Sequence, residues 1–184
     1  MKILYVHGYG AHWDPDHPKI EALKSLGQVI GVDIQYNKGH DHAFNRVHDE
    51  IVTESPDLLI GTGIGGHTVA AVGAKKGVPF VAMNPIITPS ECMLPWVGGM
   101  TDGQGGDLYL PESVVTAWPD IVKEGQGLVL VETADEITGA YITREELGEV
   151  FDIHVFNGGC HAFRHVEQAV PIIKEWLDKE REDL

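Results

Sequence analysis

The stretch DLLIGTGIGGHTVAAVGAKK, Asp57–Lys76, decides the fold. A short apolar run from Asp57 to Ile60 reads as a strand, Gly61-Thr62-Gly63-Ile64-Gly65 as a tight turn, and Ile64–Lys76 as a helix. A nucleophile elbow of the G-x-S-x-G type needs this strand, turn and helix in this order. The turn fits that pattern everywhere except at its centre, where Gly63 stands in place of serine.

Working outward, short β-rich runs alternate with helical stretches, which predicts parallel strands joined by crossover helices. Strands are expected at Ile3–Val6, Val29–Ile34, Asp57–Ile60, Val78–Met83, Leu128–Val131 and Ile153–Phe156. Several are continuously apolar, as happens when helices cover both faces of a sheet. Helices are expected at Pro18–Leu26, Ala43–Thr53, Ile64–Lys76 and Arg144–Val150, with a last one ending near Lys179. In that last helix Val166, Val170, Ile173 and Leu177 form an inward stripe, and Pro171 is expected to kink or divide it.

From Thr88 to Asp120 the pattern fails among closely spaced glycines and Pro89, Pro95, Pro111 and Pro119. This stretch reads as a lid-like insertion over one face of the sheet. At 184 residues the chain has the length of one domain, residues 1–184, with one sizeable core. The acidic residues number 28 against 13 basic ones, a formal net charge of -15, which disfavours nucleic-acid and anionic-membrane partners. The N-terminus lacks the apolar run of a signal peptide, and no window approaches the ~18 apolar residues of a membrane span. A cytoplasmic protein is expected. Cys92 and Cys160 are too few for a disulfide framework, so two reduced thiols and no zinc site are expected.

Open parallel sheets bind ligands at the carboxyl ends of their strands. Four predicted ends are chemically loaded: His7-Gly8-Tyr9-Gly10 after the first, the turn centred on Gly63 after the third, Asp135 after the fifth and His161 after the sixth. Elbow, acid and histidine occur in the chain order of the Ser…Asp…His triad of α/β-hydrolases. The chain resembles the small, uncharacterised esterase family UPF0227, the YqiA-like α/β-hydrolases. Its members read like LYLHGF, GSSLGG, NPA, TGDE and GGNHAF. This chain answers in the same order with LYVHGYG at 4–10, GTGIGG at 61–66, NPI at 84–86, TADE at 133–136 and GGCHAF at 158–163.

The resemblance implies a minimal α/β-hydrolase fold with a mostly parallel sheet of about six strands, helices on both faces and a small lid. It implies that Asp135 orients the general base His161, that the Tyr9 and Ile64 N–H groups form the oxyanion hole, and that Gly63 takes the nucleophile position. A small-molecule ester or acyl ligand is the implied partner, with no cofactor. Residues expected to meet it are His7, Gly8, Trp96 and Met93. Trp96, Trp118, Met93, Met100 and Tyr109 either line an apolar acyl pocket or pack the lid.

Glycine supplies no nucleophile, so the triad is degenerate and covalent esterase chemistry is expected to be absent or strongly weakened. Thr62 should point away from the apex, and Cys160 next to His161 is not thereby at the point of attack. His161 with Asp135 remains a base and its orienter, able to activate water or abstract a proton. A noncatalytic binding or interaction role is the other alternative. Glu132 and Glu136 compete with Asp135 for the acid position, which the TADE match favours for Asp135. His7 is expected to shape the oxyanion loop. His12, His17, His40, His42 and His48 lack a metal-site pattern and read as a solvated polar loop, and GTGIGGH lacks the Walker lysine of a phosphate loop.

Overall fold

The computed structural model describes residues 1–182. In chain order its elements are β1 (Lys2–Val6), α1 (Pro18–Leu23), β2 (Gln28–Val32), α2 (His40–Glu54), β3 (Leu58–Thr62), α3 (Ile64–Lys76), β4 (Phe80–Met83), α4 (Pro89–Cys92), β5 (Gly98–Thr101), β6 (Asp107–Leu110), α5 (Glu112–Thr116), β7 (Gly127–Glu132), α6 (Ala140–Leu147), β8 (Asp152–Phe156) and α7 (Val166–Glu182). Six strands form one parallel sheet in the order β2-β1-β3-β4-β7-β8. The strand order reverses between β1 and β3, so the crevice that this topology opens lies beyond Val6 and Thr62.

Side-chain alternation splits the core between the two faces. Leu4, Val6, Leu59, Phe80, Ala82, Val129 and Val131 pack with α2, α3 and the segment after Thr88. Ile3, Tyr5, Leu58, Ile60, Val81, Met83, Leu128 and Leu130 pack with α1 and α7 on the other face. Burial on both faces explains why β3, β4 and β7 read as unbroken apolar runs. Among the described residues no helix is long and apolar enough to cross a membrane.

The six parallel strands stand where the sequence predicts them, with ends shifted by a residue or two. Several helical expectations need correction. α2 starts at His40, so His40, His42 and His48 lie on a helix and not in a polar loop. α6 covers Ala140–Leu147, starting four residues earlier than expected. α7 is not divided at Pro171, which stands in the second turn of the helix and costs it the one hydrogen bond that the missing N–H would make to the Glu167 carbonyl. Ala169 and Trp176 join Val166, Ile173 and Leu177 on its buried face, with Val170 only half-buried.

The 88–120 segment has regular structure of its own. α4, the antiparallel hairpin β5–β6 and α5 are each only four or five residues long, too short to show a period. The segment is tied down at its end by the Ile121 N–H on the Ile87 carbonyl at 2.9 Å. It touches the loop after β1 through the Gly103 N–H, which donates to the Gly10 carbonyl at 2.9 Å.

Candidate active site

The loop after β1 is built around His7, a buried side chain. The Ile34 N–H donates to His7 Nε2 at 3.0 Å, which leaves Nδ1 as the protonated nitrogen, donating to the Gly8 carbonyl at 2.7 Å. Burial pushes its pKa down, which agrees with a neutral ring. With both nitrogens bonded to backbone, His7 shapes the turn and has none left for a ligand. Beyond it Tyr9 stacks on Trp96, ring centroids 5.5 Å apart and planes within 14°. Trp96 also stands 6.2 Å from the His161 ring, so one aromatic wall joins the loop to the histidine.

Gly63 joins β3 to α3 with φ 60° and ψ -122°, a conformation in which a β-carbon is strained. Its N–H donates to the Met83 carbonyl at 3.0 Å, and its own carbonyl accepts from the His67 and Ile86 N–H groups. A β-carbon built on Gly63 would lie 2.8 Å from His161 Nε2. The imidazole therefore leans into the space a serine side chain would take. Ile64 opens α3, so its N–H is one of the free donors at the positive end of a 13-residue helix.

His161 Nδ1–H donates to Asp135 Oδ1 at 2.9 Å, and the same oxygen accepts from the Ile137 N–H at 2.9 Å. Asp135 is buried, and His161 Nε2 faces the apex. Behind this pair lies a network that the sequence reading missed. Glu132, fully buried at the end of β7, accepts the Cys160 N–H at 2.7 Å on one oxygen. Its other oxygen takes the Arg164 N–H at 2.7 Å, the His165 N–H at 2.8 Å and His165 Nδ1–H at 2.6 Å. Burial pushes the Glu132 pKa up, but those hydrogen bonds outweigh it and leave the carboxyl below its ordinary value. Asn84 adds a second anchor: its Nδ2 donates to the Cys160 carbonyl at 2.8 Å, and its Oδ1 accepts the Glu132 N–H at 2.8 Å. Glu136 holds the His161 N–H at 2.9 Å. Glu132 and Glu136 thus support the loop that carries His161, and Asp135 alone of the three meets the imidazole.

A cavity of about 770 Å³ opens at these strand ends, lined by His7, Gly8, Tyr9, Gly63, Trp96 and His161 among others. Met93 is a correction to the expected ligand contacts: it is fully buried in the core beneath the 88–120 segment and does not line the cavity. Apolar packing in the core cluster holds it there. Trp118 is likewise buried in that core, whereas Tyr109 is exposed. Met93→Ala should therefore lower unfolding stability by about 2–5 kcal/mol in urea titration and leave KM for any ligand unchanged. A changed KM would return Met93 to the cavity wall.

Thr62 points toward α1: its Oγ1 pairs with the Tyr5 hydroxyl at 3.1 Å and accepts from Lys19 Nζ at 3.3 Å. The Cys160 backbone serves Glu132 and Asn84, and its thiol is free. Among the described residues no group of three or more His, Cys, Asp or Glu could hold a metal ion.

Residues 2–178 match the model of an uncharacterised protein family, UPF0227. A UPF0227 protein of Shewanella woodyi is 25% identical over 94% of this chain and 97% of its own. One of Vibrio parahaemolyticus is 26% identical over 95% and 98%. Among solved structures, Est1E from Butyrivibrio proteoclasticus superposes with a TM-score of 0.75 at 14% identity, covering 98% of this chain and 88% of that one; it is also known with ferulic acid bound. A monoacylglycerol lipase of Paleococcus ferrophilus gives 0.69 at 20% identity, covering 96% and 93%. These likenesses show the fold, a six-stranded parallel α/β-hydrolase sheet with helices on both faces.

Proposed function

We propose that this chain, which belongs to the uncharacterised protein family UPF0227, is an α/β-hydrolase that cleaves small carboxylic esters or thioesters slowly and without an acyl-enzyme. The observation that carries this reading is the intact pair at the apex. His161 is oriented by a buried Asp135 at 2.9 Å and aims Nε2 at Gly63, where there is no hydroxyl for it to activate. Asp135 orients the imidazole and the Glu132 and Asn84 supports fix the loop that carries it, so a positioned base remains at the apex without the serine. The solved neighbour named as a monoacylglycerol lipase lends the substrate class.

In the proposed reaction a water on His161 Nε2 attacks the acyl carbon while the imidazole takes its proton. The developing oxyanion is received by the Tyr9 and Ile64 N–H groups, the second at a helix N-terminus. Collapse breaks the acyl–oxygen or acyl–sulfur bond, and the proton on Nε2 passes to the leaving group, giving an acid and an alcohol or thiol. Asp135 keeps the imidazole in the tautomer that presents a lone pair at Nε2. The Tyr9–Trp96 wall holds the substrate and Gly8 leaves room for it. The 88–120 segment acts as a small lid, and the reaction is placed in the cytoplasm, where both free thiols stay reduced.

The test is turnover of short p-nitrophenyl esters together with a fluorophosphonate probe. The protein should turn over ester with no burst and no labelling, and His161→Ala should lower the rate on the order of 100-fold. Turnover that survives His161→Ala, or no turnover above buffer, overturns the reading. In the latter case a binding role takes its place.

A further inference from the structure

We infer that the cavity contains an anion subsite headed by Lys19, and that the ester it takes carries a carboxylate a few bonds from the scissile carbonyl. The inference rests on the hydrolytic reading above for the word ester, and on the geometry alone for the anion. Lys19 Nζ donates to Thr62 Oγ1 at 3.3 Å and to the Ala162 carbonyl. Thr62 precedes the apex Gly63 and Ala162 follows His161, so the ammonium is pinned against both halves of the site. An ammonium has three donors. Two are engaged here, and the third is left for the cavity that Lys19 lines.

Neither Lys19 nor Arg164, which lines the same cavity, forms an ion pair among the described residues. What sets Lys19 apart from the other unpaired cations is its pair of contacts to Thr62 and Ala162 at the cavity. Three carboxylates line the same cavity, and none of them forms an ion pair with either cation. Glu136 accepts the His161 N–H at 2.9 Å, Asp14 accepts the Asp16 N–H at 3.0 Å, and Glu167 stands in the exposed first turn of α7. An ammonium without a carboxylate partner, held between Thr62 and Ala162 in a cavity that has the Tyr9–Trp96 wall, suits a ligand with one apolar stretch and one negative end. Lys19 is half-buried, so its charge is screened less than that of a fully exposed side chain, and it discriminates by charge. A monoester of a short dicarboxylic acid has that form.

The experiment compares mono-4-nitrophenyl adipate with 4-nitrophenyl hexanoate, which match in chain length and differ by the carboxylate. The protein should favour the adipate monoester in kcat/KM, and Lys19→Met should lower the adipate-to-hexanoate ratio roughly 10- to 100-fold, the worth of one charge-assisted hydrogen bond. Lys19→Arg, which keeps the charge, should retain most of the ratio. A ratio of one in the unaltered protein, or a ratio untouched by Lys19→Met, overturns the inference and leaves Lys19 as a tie between Thr62 and the His161 loop. Calorimetry with adipate and adipamide separates this outcome from failure of the hydrolytic reading. If no ester is turned over but adipate binds the protein, adipamide does not, and Lys19→Met abolishes binding, the subsite stands without the hydrolase. Absence of adipate binding in the unaltered protein removes it.

Discussion

Gly63→Ser should make the protein react with a fluorophosphonate and raise its p-nitrophenyl ester turnover on the order of 1,000-fold or more. Removing the serine from a working triad costs about a millionfold in kcat, so restoring one to a placed base and orienter recovers a large part of that. Two features of the apex set the cost. The φ of 60° strains any residue with a β-carbon by about 1–3 kcal/mol. The new β-carbon would also stand 2.8 Å from His161 Nε2, closer than non-bonded atoms approach, so the ring must withdraw by a few tenths of an ångström. That withdrawal separates Nε2 from the β-carbon and makes room for a hydroxyl in hydrogen-bond reach. Its Asp135 contact is a single hydrogen bond, which tolerates the shift. A fall in Tm of about 2–10 °C should accompany the gain in activity. Gly63→Ala isolates the cost: it carries the same strain and pushes the imidazole equally, adds no nucleophile, and should turn over ester more slowly than the unaltered protein. If Gly63→Ser folds and neither labels nor accelerates, His161 and Asp135 are not a triad remnant and the hydrolytic reading falls with them.

The sheet was legible in the sequence because its inner strands β1, β3, β4 and β7 are buried on both faces, so each appears as a short apolar run that stops at polar or small residues. The site was legible where a motif follows such a stop: His7 after β1, Gly63 after β3, Asp135 after β7 and His161 after β8 all lie at one edge of the sheet, as parallel pairing requires. The 88–120 segment resisted because its elements are four or five residues long, below one hydrophobic period. An apolar residue there, such as Met93, reads equally well as cavity wall or core, and only its burial decides. Lys19 left no trace at all, since its contacts to Thr62 and Ala162 span 43 and 143 residues. Glu132 did leave a signal: a carboxylate closing the run Leu128–Val131 sits where both faces of a parallel sheet are covered, and so cannot be an ordinary solvated acid. In the TADE alignment it stands only as a rival to Asp135. Asn84 in the NPI motif is the matching residue at the end of β4, where its φ of 43° turns the amide toward the His161 loop.

The largest loss of stability should follow replacement of Glu132. Its carboxylate is fully buried and satisfies four donors from the loop Cys160–His165, which has few other ways to pair those groups. Gly159 leaves the space this needs: at φ 81°, a β-carbon there would fall inside the Glu132 carboxylate. Glu132→Ala orphans all four donors and should cost about 3–5 kcal/mol in urea unfolding at neutral pH. Glu132→Gln keeps the shape but turns an amide N–H₂ toward either the Cys160 N–H or the three donors on the other oxygen, and should cost about 1.5–3 kcal/mol. The pH dependence separates loss of charge from loss of packing. Because the folded state holds the Glu132 pKa below its unfolded value, its contribution is fully present above the ordinary carboxylate range and fades as pH falls through the folded value. The unaltered protein should thus lose stability on acidification more steeply than Glu132→Gln, and the difference between the two should shrink at low pH. Cys160 adjoins His161, so the same variant should shift the amide resonances of 159–165 and lower ester turnover through misplacement of the imidazole. A Glu132→Gln protein within 0.5 kcal/mol of the unaltered one, with the same acid slope, would mean that water or a rearranged loop satisfies those donors. The His161 loop would then be held by Asn84, Glu136 and Lys19, with Asp135 on the ring.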